Sequence, residues 1–247
     1  MAKPETKSDD KLTEEKAGKI LDVIYDKALN GVPKVSRSVD DFANDYLNRY
    51  DTPEKAAKEL AKYQVAKCGA SGFITGLGGL ITLPVTIPAN IGSVLYVQMR
   101  MVAAIAKMGG YDIYSDQVQT MIYLCLTGTA VSDIAKEVGI QIGRKTLNAA
   151  IKKIPGAVLT KINQKIGFRL ITKFGEKGVI NLVKVIPIAG GVIGGGMDVT
   201  STTIIAHNAI KLFIHDENPN GEDVNQEKLT DIKQIAVDVE GDKDAVI

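Results

Sequence analysis

From Cys68 to Met99 the chain runs through 32 residues without a charged side chain, punctuated by glycine and proline: CGASGFITGLGGLITLPVTIPANIGSVLYVQM. A block of that length either crosses a bilayer or forms the buried centre of a helical domain. Pro84 and Pro88 each remove a backbone donor, so one straight helix cannot run its whole length. The block therefore predicts a short helix over 70–82, a turn over 83–88 and a second helix over 89–107, ended by Gly109-Gly110. At about 1.5 Å rise per residue, these helices reach roughly 20–28 Å. Such lengths suit a hairpin held in protein, or dipping into one leaflet, better than a single span. A second block, Val185 to Ala206, repeats the style with one acid in it, Asp198.

Composition narrows the setting. Apolar residues make up 45% of the 247, aromatics only 5%, and tryptophan is absent, which argues against a multi-span protein with aromatic belts. The opening MAKPETKSDDKL is polar and lacks the apolar core of a signal peptide. Cys68 and Cys125 stand alone, with no partner at metal or redox spacing. The expectation is a cytoplasmic protein with free thiols, with a peripheral position at the inner face of the cell membrane left open. The net charge of +1 hides an asymmetry: 13 basic and 13 acidic side chains in residues 1–67, 14 against 6 in 68–214, and 3 against 10 in 215–247. The last stretch reads as a largely disordered acidic tail, in which Ile232, Ile235 and Val237 could form a docking patch.

Helical signals follow one another along the chain. Thr13 caps a helix whose apolar positions Ala17, Ile20, Leu21, Ile24 and Ala28 keep the 3.6 period until Gly31 and Pro33. Ser38 with Asp41 fits a capping box before Val39, Phe42, Ala43, Tyr46, Leu47 and Tyr50. Thr52-Pro53 opens a third helix to about Lys67, and Ser115 caps another through Leu126, with a further helix over 130–138. From Ile154 onward, Val158, Ile162, Ile166, Leu170 and Phe174 recur every four residues. Lys161, Lys165, Arg169, Lys173 and Lys177 recur beside them, giving an apolar and a cationic stripe side by side. Gly167, Gly175 and Gly178 are expected to weaken that helix and to break it near 175, and Pro187 opens a last helical run to Phe213. No strand alternation of useful length occurs, so the fold class is all-α: a compact multi-helix bundle around the two glycine-rich segments. The expected divisions are a flexible 1–12, amphipathic helices over 13–67, a helical domain over 68–214 and the tail over 215–247.

Chemistry-bearing motifs are thin. Gly72–Gly76, Gly190–Gly194 and Gly191–Gly195 have the spacing of close helix packing, in lipid or in a soluble core. The stretch Ala189 to Gly194 only approaches G-x-G-x-x-G, and too few residues follow for the second strand of a dinucleotide site, so a nucleotide cofactor is not expected. No G-x-S-x-G surrounds a serine. His207 and His215 lie about 12 Å apart along a helix, too far to share a metal. No catalytic residue, metal ligand or cofactor is therefore assigned, and His207 reads as a core or interface histidine. Asp198 is costly to leave unpaired in an apolar segment, so it pairs with a cation such as Arg100, serves a function, or sits exposed. The cationic stripe lacks interleaved aromatics for stacking bases, which disfavours nucleic acid. It suits an anionic lipid surface or an acidic partner, the bland alternative being a solvated face.

The runs GGLITLPVTIPANI (78–91), AIAKMGGYDIYSD (104–116) and IPIAGGVIGGGMDVTSTTIIAHNAIKLF (186–213) resemble the EcsC protein family of bacteria, over roughly residues 55–214. The family takes its name from a gene beside an ATP-binding-cassette transporter and brings no catalytic residues to carry over. The resemblance implies a helical, bacterial, membrane-associated protein. It draws attention to Pro84, Pro88, Asn90, Tyr111, Asp112 and Asp198: Asn90 beside the backbone positions opened by the prolines, and Tyr111-Asp112 capping the turn after Gly110. The resulting expectation is a non-enzymatic protein that meets the inner membrane surface or a membrane protein, such as a transporter component. Two alternatives stay open: a hydrolase of lipid or peptide with a pocket lined by Asn90, Arg100, Asp112 and Asp198, and a scaffold that forms a homo-oligomer.

Overall fold

The computed structural model describes residues 12–69, 89–127, 155–174 and 196–217. Seven α-helices lie among them: α1 (Glu14–Asn30), α2 (Val39–Arg49), α3 (Pro53–Gly69), α4 (Ala89–Met108), α5 (Asp116–Leu126), α6 (Gly156–Phe174) and α7 (Gly196–Phe213). No strand occurs among the described residues, and an isolated bridge between Val32 and Ser36 closes a loop. The fold is all-α. The expected helix over 70–82, the turn over 83–88, the helix over 130–138, the three glycine pairs, Lys177 and the acidic stretch beyond Glu217 lie outside the described residues. So do the side chains of Asn90, Lys173 and Asp198, although their backbones are helical.

Local chemistry sets the helix ends. The Thr13 hydroxyl accepts from Lys16 N–H at 3.2 Å, Ser38 from Asp41 N–H at 3.1 Å, Thr52 from Lys55 N–H at 3.2 Å and Ser115 from Val118 N–H at 3.4 Å. Each satisfies a donor that the first helical turn leaves over. At the far end of α4, Gly110 turns left-handed at φ +82°, and Tyr111 N–H reaches back to Ala106 C=O at 3.1 Å. The expected Tyr111-Asp112 cap is thus made by the Tyr111 backbone. Asp112 serves the next turn instead, accepting from Tyr114 N–H at 3.1 Å.

Helix α4 is the axis of the molecule. Every residue from Ser93 to Ala106 is buried, and α1, α2, α3, α5 and α7 all pack on it. A helix apolar on all sides must be enclosed on all sides. The second half of the charge-free block therefore faces other helices of its own chain. Gln98, one of its few polar members, donates to Thr202 Oγ1 at 3.0 Å and Ser201 Oγ at 3.3 Å, tying α4 to α7. Gly109 makes the same junction tight: a Cβ there would fall 2.0 Å from the Phe213 carbonyl oxygen.

The remaining helix, α6, packs on α1 and α5, away from the axis. Gly167 lies inside this helix, which runs to Phe174. Its bare Cα admits α1, since a Cβ would fall 2.9 Å from Ala17 O, and Gly18 returns the arrangement opposite Gln164. One expectation about the helix needs correction. Val158, expected in the apolar stripe, is 37% exposed. The buried face is Leu159, Ile162, Ile166, Leu170 and Ile171, because α1 and α5 meet the helix about one residue round from a strict four-residue repeat.

Candidate functional site

A cleft of about 440 Å³ opens between α2, α3, α4 and the loop joining α1 to α2. Backbone geometry places that loop. Gly31 has φ +78°, where a Cβ would collide with Ser36 O at 2.4 Å and Arg37 O at 2.5 Å. The chain then folds back on itself: Ser36 N–H donates to Val32 O at 2.9 Å, and Val32 N–H donates to Ser36 Oγ at 3.0 Å. Lys34 takes the left-handed conformation at φ +66°. Ser36 Oγ and Tyr96 OH share a hydrogen bond that fastens the loop to α4. Lys34, Ser36 and Arg37 are thereby held over the same cleft as Tyr63, Gln64 and Lys67 from α3 and Tyr96 and Arg100 from α4.

Arg100 is the deepest charge there, 6% exposed. Its Nη1 donates to Ala28 O at 2.8 Å, and the guanidinium lies 5.3 Å from the Phe42 ring centroid and 5.7 Å from that of Tyr96. Burial pulls its pKa down; Tyr96 works the other way, and the like charge of Arg37 adds to the lowering. It remains a cation, since guanidinium groups do not deprotonate in proteins. No acidic residue lines the cleft among the described residues. Arg100 is turned to α1 and α2, while the face of α4 that meets α7 carries Gln98; the side chain of Asp198, its expected partner, lies outside the described residues.

A second groove, about 570 Å³, lies between α1, α5 and α6 and is lined by Glu15, Asp22, Asp116, Gln119, Asn163 and their neighbours. Here the charge of Asp22, an exposed residue at the rim, is tied up. Asp22 Oδ1 accepts from Tyr123 OH at 3.0 Å and from Gln119 Nε2 at 3.0 Å. Gln119 Nε2 also donates to Tyr123 OH at 2.7 Å. Burial raises the Asp22 pKa above the usual carboxylate value, and the two hydrogen bonds act against the rise. Tyr25, edge-on to Tyr123 with centroids 5.5 Å apart, donates to Ile113 O at 2.6 Å.

The other residues singled out in the sequence are spread apart. Tyr111 and Asp112 follow the C-terminus of α4 and do not line the Arg100 cleft. Tyr111 stacks edge-on to Phe213 and its hydroxyl donates to Asp216 at 3.5 Å. Beside them Asp40 bridges Lys107 at 2.7 Å and accepts from Tyr114 OH at 2.6 Å; these hydrogen bonds, Lys107's first, hold its pKa below the ordinary range. Lys161, Lys165 and Arg169 are exposed along α6, as the stripe predicts, and Val158 stands on the same face. His207 is half-buried on α7, and both described cysteines are buried and reduced. Among the described residues no three His, Cys, Asp or Glu side chains gather as metal ligands would, and no helix is long and apolar enough to cross a membrane.

Sequence reasoning reached Arg100 but missed the loop that covers it. Gly31 was visible as a helix stop; that it also brings two cations and a hydroxyl over α4 depends on contacts 60 or more residues away, such as Ser36 with Tyr96. A Gly-x-x-Lys-x-Ser-Arg run directly after a helix stop was the available signal.

One relative, named Uncharacterized protein YdbA, from Bacillus subtilis (strain 168), is 24% identical over 161 residues, which cover 65% of this chain and 56% of the relative. The match thus spans little more than half of that protein's length. No solved structure matches the chain. The EcsC protein family matches over residues 1–214, taking in the N-terminal helices that the resembling motifs left aside and stopping before the acid-rich stretch. By that match the chain belongs to the EcsC protein family.

Proposed function

We propose that this chain is a non-catalytic helical protein that docks on an anionic lipid surface at the inner face of the cell membrane, through the outer side of α6. The supporting observation is the line formed by Val158, Lys161, Lys165 and Arg169, all exposed, on a helix whose opposite side is anchored in α1 and α5. A basic row with an apolar side chain at its end is the surface that anionic headgroups attract and that the interface retains. Each cation near such a surface contributes about 1 kcal/mol, so the three together are worth about 100-fold in binding.

Vesicle flotation tests the reading. The full chain is expected to float with phosphatidylglycerol vesicles, to stay behind with phosphatidylcholine vesicles, and to be released by added salt. Replacing Lys161, Lys165 and Arg169 by glutamine together should weaken binding about 100-fold without lowering the melting temperature, since the side chains are exposed. Absence of flotation with anionic vesicles at low salt overturns it.

A further inference from the structure

The cleft around Arg100 is built by elements other than α6 and carries a reading of its own. A buried charge needs a partner, and Arg100 has the Ala28 carbonyl, the Tyr96 hydroxyl and two ring faces. Its fork holds five N–H donors, of which Ala28 and Tyr96 take two, so part of the fork is left for the cleft it lines. Lys34, Arg37 and Lys67 stand round the same space. Asp45 takes one side of Arg37 at 3.1 Å from outside the lining, and Lys67 lies over the Tyr63 ring at 4.4 Å. Four cations with hydroxyls from Ser36 and Tyr96 suit a doubly charged, three-oxygen anion better than a carboxylate, which offers two oxygens and one charge. At about 440 Å³ the cleft exceeds a bare phosphate, leaving room for what the phosphate is attached to, against Tyr63 and Phe42.

We propose that this cleft binds the phosphate of a phosphomonoester, seated on the Arg100 fork with Lys34, Arg37 and Lys67 at the mouth. Soluble metabolites and lipid headgroups both carry that chemistry, and the experiment separates them. The full chain is titrated with glycerol 3-phosphate, with glycerol as control, while the melting temperature and tyrosine emission are followed. A saturable response to glycerol 3-phosphate alone is expected. It should weaken about tenfold or more in Arg100→Lys, which keeps the charge and loses the fork, and severalfold in Arg37→Gln, whose side chain is 61% exposed and whose loss leaves the fold intact.

Flotation with phosphatidic acid vesicles, against phosphatidylglycerol vesicles of equal anionic content, then assigns the source. A preference for phosphatidic acid that Arg37→Gln abolishes and the α6 triple variant keeps identifies a lipid headgroup. A response to glycerol 3-phosphate without that preference identifies a soluble ligand. The proposal is overturned if wild type shows neither response, or if both variants respond as wild type does. Because the α6 variant leaves the glycerol 3-phosphate titration untouched, failure of the membrane reading and failure of this one remain distinguishable.

Discussion

Two clefts of similar size treat the charge they hold in opposite ways. In the groove between α1, α5 and α6, Asp22 is exposed at the rim and meets a tyrosine hydroxyl and a glutamine amide at hydrogen-bond distance. In the cleft between α2, α3 and α4, Arg100 is buried and meets one carbonyl, the Tyr96 hydroxyl, two ring faces and further cations. The first arrangement is closed: its donors and acceptor satisfy one another and tie α1 to α5. The second is open, with donors outnumbering acceptors, and it gains stability when an anion arrives. A charge satisfied by its own fold is structural, whereas one left with spare donors beside an accessible space is available for binding.

The largest effect expected is on the wall of the closed groove. Gly167→Val would push a side chain into the Ala17 carbonyl and separate α6 from α1, costing about 3 kcal/mol. Chemical denaturation reads the loss. If the two clefts are independent, the surviving folded protein still responds to glycerol 3-phosphate.

Next in size is Asp22→Ala, which strips the fully buried Tyr123 of its acceptor and costs about 2 kcal/mol. Asp22→Asn keeps an acceptor and should cost less than about 1 kcal/mol. The pH dependence has a definite sign. Burial raises the Asp22 pKa above 3.8, so its contribution is whole below 3.8 and is lost as pH rises through the raised value. Asp22→Asn removes that decline, and stability measured against pH above 3.8 should run flatter in the variant. A steeper curve would mean that Asp22 is stabilised as a carboxylate.

The smallest effect is the most telling. Arg100→Met exchanges a buried charge with no acid beside it for an apolar chain and forfeits the hydrogen bonds to Ala28 and Tyr96, so stability without anion should stay within about 1 kcal/mol of wild type. The response to glycerol 3-phosphate should disappear. A loss as large as that of Asp22→Ala would show that Arg100 is as structurally satisfied as Asp22, and the contrast between the clefts would fail.

Much of this was legible in the chain itself. Thr13, Ser38, Thr52 and Ser115 mark helix starts by hydroxyl chemistry that acts within three residues, and all four cap as expected. The charge-free stretch after Ala89 announced a helix that must be enclosed, and α4 is enclosed. Val158 was misplaced and the packing role of Gly167 was missed for one reason: both depend on how α1 lies against α6. A repeat of four residues cannot register a helix of 3.6 per turn over several turns, and a glycine that weakens an isolated helix can be the contact that secures a packed one. Membership of the 1–214 match likewise lets α1 and α2, which read as separate amphipathic helices, share one unit with α4.

Sequence alone determined that this chain is helical, where α1 to α5 begin, and that α4 must be hidden, because capping and hydrophobic periodicity are local and act within a few residues. Tertiary structure alone decided that Arg100 turns toward Ala28 and Phe42, away from the α7 face of its helix, and that Lys34 and Arg37 lie over it. Those placements follow from a left-handed turn at Gly31 and a hydroxyl contact from Ser36 to Tyr96. Charges gather into a site only when distant segments close on one another, and no local pattern records that closure.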